Sequence, residues 1–200
     1  MLFSPHRNGH ILFLRIALFF SCFYLTHQNA IAIDKGAEGA KAKLTVFFGN
    51  DLLQKNPTNC SEVFPVERMT PATKKMATAA LHNLFSGPSP SEREAGYRSI
   101  FSLTASNLLK ELRIRGATAY VDLIDFRQTL PGASSSCGSA EFQSQISHTL
   151  HQFPKVKRVI YAINGDPRTF YAWMGEPCDK TNGYCDPRPF GSPRKQAHSP

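Results

Sequence analysis

The chain has 200 residues, 42% of them hydrophobic and 19% charged, values that suit one globular domain with appendages and exclude wholesale disorder. Its 23 Lys and Arg against 15 Asp and Glu give a formal net charge of +8. No stretch interleaves basic and aromatic residues along a face, so this charge points to anionic envelope polymers or lipid headgroups and away from nucleic acid.

Arg7 and Arg15 supply a positive N-terminal region, residues 16–25 a short apolar core, and Ala30-Ile31-Ala32 a small-residue cleavage site. This is the pattern of a signal peptide over residues 1–32, with cleavage expected after Ala32 and an uncleaved, tilted membrane anchor as the alternative. A lipid attachment at Cys22 is disfavoured because Phe19 and Phe20 stand where that processing site wants leucine and a small residue. Removal of the signal leaves 21 Lys and Arg against 15 acids. It also leaves an even set of cysteines, Cys60, Cys137, Cys178 and Cys185. In an oxidising compartment four cysteines form two disulfides, and three pairings are open. The spacing of Cys178 and Cys185 is too wide for a C-x-x-C metal knuckle, and no histidine pair lies nearby.

Residues 33–43 read as a small-residue, charged linker. Leu44, Val46 and Phe48 alternate with Lys43, Thr45 and Phe47, which predicts a first strand ending at Gly49-Asn50. Residues 63–68 form a short strand whose Pro65 places it at an edge or a strand start. Thr70-Pro71 predicts a helix start, with Met76, Ala77, Ala80, Leu81 and Leu84 as the inward stripe and Gly87-Pro88 as the stop. Ser91-x-x-Glu94 predicts a capping box for one further turn ended by Gly96. Leu112 and Ile114, then Ala119, Val121 and Leu123, alternate with polar residues on either side of Gly116, as two antiparallel neighbours do.

Residues 125–136 make a long loop, of the kind that is functional or tethered, and Cys137 at its end supplies the tether. A second helix is expected over residues 140–153, with Phe142, Ile146, Leu150 and Phe153 on one face, Glu141 in the first turn and Pro154 at the end. A buried strand follows over residues 156–163, then a turn at Asn164-Gly165-Asp166. Residues 170–174 suggest one more helical turn whose aromatics pack, and residues 187–200 an extended Pro-rich basic tail.

Several of these segments together resemble the GerMN domain, the sporulation and spore germination domain of bacterial envelope proteins. The residues that carry the resemblance are the run Ser134-Ser135-Ser136-Cys137-Gly138-Ser139-Ala140, followed by Gln145, Thr149-Leu150, Gln152-Phe153-Pro154, Val156 and Gly165-Asp166. Pro65-Val66 with Arg68, and leucine ahead of Gly87-Pro88, match as well. The likeness covers residues 44–174, leaving residues 175–200 as a cysteine loop and tail outside it. It implies a compact α+β fold similar to ring-building domains of envelope complexes, and a module that works by protein or cell-wall contacts without a cofactor. It also favours pairing Cys60 with Cys137, since cysteines occur together at these positions in exported relatives, and leaves Cys178 to pair with Cys185 around a turn at Asn182-Gly183.

From residues and resemblance together, the fold is expected to be α+β, a mixed and mostly antiparallel sheet of about five strands with two helices packed on one face. An enzyme would have to use Cys137, a thiol at a helix start, with His148 or His151 as base. His148 lies 11 residues further along the same helix, roughly 16 Å away at ~1.5 Å per residue and outside hydrogen-bond reach. Asp122 and Asp125 read as solvated residues where a strand enters a loop, and the calcium-loop likeness of residues 179–186 fails on register. The expectation is therefore a non-catalytic, exported envelope module, partnered by an envelope protein or by peptidoglycan-associated machinery. An envelope hydrolase or redox enzyme using Cys137 is the alternative, as is a cationic glycan binder with a basic patch at Lys155, Lys157 and Arg158.

Overall fold

The structure, a computed structural model, describes residues 39–176, 178 and 183–191. The expected signal peptide and most of the linker lie outside them. So do residues 179–182, half of the calcium-like stretch with Asn182 of its turn, and the tail beyond Gly191. Ten elements follow one another as β1 (Lys41–Asn50), β2 (Phe64–Pro71), α1 (Met76–Phe85), α2 (Pro90–Glu94), β3 (Tyr97–Arg98), β4 (Leu109–Arg115), β5 (Thr118–Leu123), α3 (Ser136–His151), β6 (Arg158–Ile163) and α4 (Pro167–Trp173). The class is the α+β one expected.

The strands form two three-stranded sheets in place of one sheet of five, ordered β2-β1-β3 and β4-β5-β6, and only the β5–β6 pair is parallel. Side chains explain the division. On β1, Leu44, Val46 and Phe48 are buried, and β2 lies antiparallel along one edge. The other edge is taken by helix α3: Gln152 Oε1 accepts the Thr45 N–H at 3.0 Å, Gln152 Nε2 donates to Thr45 O at 2.6 Å, and Thr149 Oγ1 accepts the Phe47 N–H at 3.2 Å. A glutamine amide thus stands where a further strand would add, and both edge groups of Thr45 are satisfied.

Helix α3 begins at Ser136, four residues ahead of the predicted start, because Ser135 is its cap: Ser135 Oγ accepts the Gly138 N–H at 3.0 Å and donates to Gly132 O at 2.8 Å. The glycine of the Ser-Ser-Ser-Cys-Gly-Ser run is required here, since a Cβ on Gly138 would lie 1.9 Å from Gly132 O. Glu141 consequently sits in the second turn and not the first. The preceding loop is ordered by its own apolar side chains, with a 3-10 turn at Pro131–Ser134 and Phe126, Leu130 and Ala133 buried. Phe142 is central to the core, its ring 5.1 Å from those of Phe101 and Phe126 and 6.1 Å from that of Phe170.

Other expectations need correction. Thr70-Pro71 does not start a helix but ends β2, paired with Ala42 and Lys41, and α1 starts at Met76 without a side-chain cap. The capping box is Ser89 with Glu92, two residues before the predicted one, with Pro90 at the first helical position. The turn at Asp166 is the start of α4, for Asp166 Oδ1 accepts the Arg168 N–H at 2.9 Å. Residues 187–191 are not extended: Arg188–Phe190 is a 3-10 turn and the buried Phe190 ring meets Tyr120 edge-on at 5.5 Å.

Candidate functional site

Cys137, the one thiol that catalysis could have used, is joined to Cys60 with their Cα atoms 5.2 Å apart. Ser144 Oγ donates to Ser61 O at 2.6 Å, so the loop carrying Cys60 is fastened to α3 twice. His148, one helical turn further on, turns its Nδ1 to Ser144 O at 2.9 Å and meets Phe47 with the rings tilted and their centres 5.7 Å apart. Cys178 and Cys185 form the second pair, with Cα atoms 5.4 Å apart. Ser144 Oγ also lies 3.4 Å from His148 Nδ1, but it donates to Ser61 O and that ring nitrogen is nearer Ser144 O. No group of three or more His, Cys, Asp or Glu among the described residues could hold a metal ion.

The polar groups that are buried serve the frame. Gln145, fully buried on α3, accepts from Ser99 Oγ at 2.5 Å and donates to Glu141 Oε1 at 2.8 Å. Glu141 Oε2 in turn receives Arg98 Nη1 at 3.1 Å, and Arg98 also holds Asp51 and Gln54. Burial pushes the Glu141 carboxyl up, and Arg98 opposes that rise only in part. Gln145, Thr149 and Gln152 fall at helical spacing beside the apolar face of α3, a polar stripe that could have been read from sequence as a set of inward contacts.

Near α2 an open cleft of about 740 Å³ is bounded by Arg93, Tyr97, Phe101 and Leu103. Arg68 on its floor is already engaged with Glu92 and with backbone carbonyls. The rest of its lining includes serines, prolines and the further arginine Arg98.

A family model described as Sporulation and spore germination (Germane) matches residues 45–169. The chain belongs to this family. Three solved structures resemble this Germane protein. The tandem GerMN domains of the sporulation protein GerM from Bacillus subtilis share 23% identity at a TM-score of 0.46, over 63% of this chain and 40% of that one. A putative lipoprotein from Clostridium perfringens shares 16% at a TM-score of 0.37, over 62% and 76% of the two chains. The first GerMN domain of GerM alone also shares 16% at 0.37, over 62% and 84%. The Germane chain thus spans less than half of the tandem GerM fragment. No curated protein matches it.

The basic patch proposed from the Germane sequence is divided by its surroundings. Lys155 and Lys157 are exposed and have no carboxylate partner among the described residues, whereas the Arg158 guanidinium lies 5.4 Å over the Tyr184 ring. Asp122 differs more sharply from its expected solvated state. It is 3% exposed, accepts the Gly165 N–H at 2.7 Å and lies 3.4 Å from Lys110 Nζ. It fastens the left-handed Asn164-Gly165 turn that leads from β6 into α4, so its role is structural. Asp125, in contrast, is exposed and paired with Arg127.

Burial raises the Asp122 carboxyl above its ordinary value near 3.8, against the Gly165 N–H and Lys110, which pull it down. A raised folded value means that the group favours folding below the unfolded value and loses that contribution as pH rises through the folded one. Asp122→Asn keeps an acceptor for Gly165 and removes the charge. Its stability relative to the parent should climb from pH 3.8 upwards and then level off, as read by urea unfolding at a series of pH values. A relative stability that falls over that window would show that the charged pair with Lys110 dominates.

Proposed function

We propose that this Germane protein is a non-catalytic, exported module of the cell envelope that acts by holding an envelope protein or peptidoglycan-associated machinery. The observation that carries the reading is the state of Cys137: the thiol that an enzyme would have used is bound to Cys60, and the histidines on its helix are too far along to act on it. Paired cysteines suit an oxidising compartment, and the N-terminal sequence supplies an export signal with cleavage near Ala32. Family membership supports a part in sporulation- or germination-type processes. Neither nucleic acid nor a small-molecule cofactor has a place in this reading.

The test uses the full chain purified with its disulfides intact. It should release no product from peptidoglycan or from peptides, and should retain an envelope protein through washes in high salt. Turnover that disappears in Cys137→Ser would overturn the proposal in favour of an envelope hydrolase or redox enzyme. The exposed Lys155 and Lys157 favour a second reading, binding to anionic wall glycan. That binding would be lost as salt shortens the screening distance below its physiological ~8 Å, and in Lys155→Glu with Lys157→Glu.

A further inference from the structure

The open edge of β4 stands out because the neighbouring edges are covered by side chains or interrupted by prolines. On β2, the Ala72 N–H donates to Ala40 O, which fixes the even-numbered residues as those bonded to β1. The odd-numbered Pro65 and Pro71 therefore lie where an N–H would face outward and have none to offer, which leaves Glu67 and Met69 as the outward donors between two prolines. The second edge of β1 is closed by Gln152 and Thr149, and on β6 the Tyr161 N–H reaches the Tyr171 hydroxyl at 3.4 Å.

On β4 the pattern is the reverse. The Ile124 N–H bonds to Leu108 O, and the two-residue turn at Gly116-Ala117 makes Arg115 and Thr118 the closing pair. Alternation then turns the backbone N–H and C=O groups of Leu112 and Ile114 away from β5. Nothing among the described residues bonds to them. Their side chains, with Ile114 40% exposed, run beside a groove of about 370 Å³ whose other wall is Lys74, Lys75, Met76 and Ala77 at the start of α1. Leu109 and Leu112 add apolar side chains and Lys110 a cationic one, beside Thr78, His82 and Glu111. Lys110 is paired with Asp122 and Glu111 with Arg113, but Lys74, Lys75 and Arg115 have no carboxylate partner among the described residues.

We infer that this edge is a docking site for an extended acidic segment of a partner protein, which adds as a strand to β4 and sets alternate apolar side chains into the groove. The inference rests on the proposed role in protein contacts and names its surface. Main-chain bonds to Leu112 and Ile114 supply the register, the groove takes β-branched side chains, and the three unpaired cations select acidic residues between them. The same cations oppose a second copy of this chain at the edge.

The experiment is selection of a displayed random library of peptides of about nine residues, enough to run past the 7 residues of β4, on the disulfide-intact full chain. Enriched sequences should alternate β-branched with Asp or Glu residues. Binding should slow hydrogen exchange at the Leu112 and Ile114 amides. Methylating alternate backbone nitrogens of the peptide on its edge-facing side should weaken binding about tenfold or more, without altering the protein. Lys74→Glu with Lys75→Glu should cost about tenfold as well, and less at high salt. Basic or proline-rich winners, tolerance of N-methylation, or protection elsewhere on the chain would overturn the inference, as would absence of enrichment. Concentration-dependent dimers that protect the same two amides would assign the edge to a second copy. If the edge fails while the chain still retains an envelope protein, the proposed function survives and only its surface is wrong.

Discussion

Replacing both Cys60 and Cys137 by serine should lower the unfolding free energy by about 4.5 kcal/mol, against about 2.5 for Cys178 and Cys185, in the chain-entropy account of a cross-link. The difference follows from the separations, 77 and 7 residues, since the longer loop restricts the unfolded chain more. For a domain of this size the larger loss corresponds to a fall in Tm of roughly 9–18 °C, and it removes a large share of a typical stability of ~5–15 kcal/mol. The double substitution is the informative one, because a single change leaves a thiol free to mispair. Thermal melts of parent and variant, with and without reductant, check it. A variant melting within about 2 °C of the parent would show that the Ser144–Ser61 contact and the core around Phe142 hold the loop unaided. Non-reducing peptide maps decide the pairing itself, since a fragment joining Cys60 to Cys178 or Cys185 would contradict it.

What could be read from the sequence was whatever a single element decides for itself. The β4–β5 pair declares itself through alternation on both sides of Gly116, a residue with φ of 55° that serves the turn. Helix α3 shows its apolar face at Phe142, Ile146 and Leu150, all of them buried. What could not be read depends on partners distant in sequence. Ser89-x-x-Glu92 and Ser91-x-x-Glu94 both fit a capping box; the first is chosen because Glu92 also meets Arg68 arriving from β2. Thr70-Pro71 looks like a helix start until Lys41 and Ala42 lie opposite it, which happens only because β1 begins before its apolar alternation does.

The candidate site was legible in the same uneven way. Cysteine count and spacing gave two bonds, and the apolar helix placed Cys137 near an N-terminus. The exposed state of Lys155 and Lys157 agrees with a charged segment after Pro154, but the Tyr184 ring under Arg158 comes from beyond the recognised domain. The buried state of Asp122 has no local signal because its partner is a backbone N–H 43 residues away. The division into two sheets was hidden for a related reason: Gln152 and Thr149 end β1's ladder through side chains, and strand patterns carry no record of that.

The second large effect is expected at Arg68. Its guanidinium meets both oxygens of Glu92, at 3.2 and 2.5 Å, donates to Asn83 O and Gly87 O, and lies 5.3 Å over the Phe48 ring, with both side chains of the pair under a fifth exposed. One side chain thereby ties β2 to the end of α1 and to the α2 cap. Arg68→Met leaves the Glu92 carboxylate buried without its partner and two carbonyls unsatisfied, a loss of about 3–5 kcal/mol near neutral pH. Burial pushes the Glu92 carboxyl up, but Arg68 and the Ser89 N–H outweigh it and hold the group below its ordinary value near 4.5. In the parent, then, the pair stabilises above that value and its contribution fades as pH falls through the lower folded one. In the variant only the Ser89 hydrogen bonds still oppose burial, the contribution of Arg68 to holding the carboxylate charged is gone, and the gap between the two proteins should narrow steadily on acidification. Adding Glu92→Gln to Arg68→Met should recover part of the loss, because the amide keeps an acceptor for the Ser89 N–H and carries no charge. Urea unfolding of the two variants and the parent at pH 7 and at pH near 3 reads both effects. A single variant within about 1 kcal/mol of the parent at pH 7, or a gap that widens in acid, would show that the guanidinium is not what joins β2 to α2.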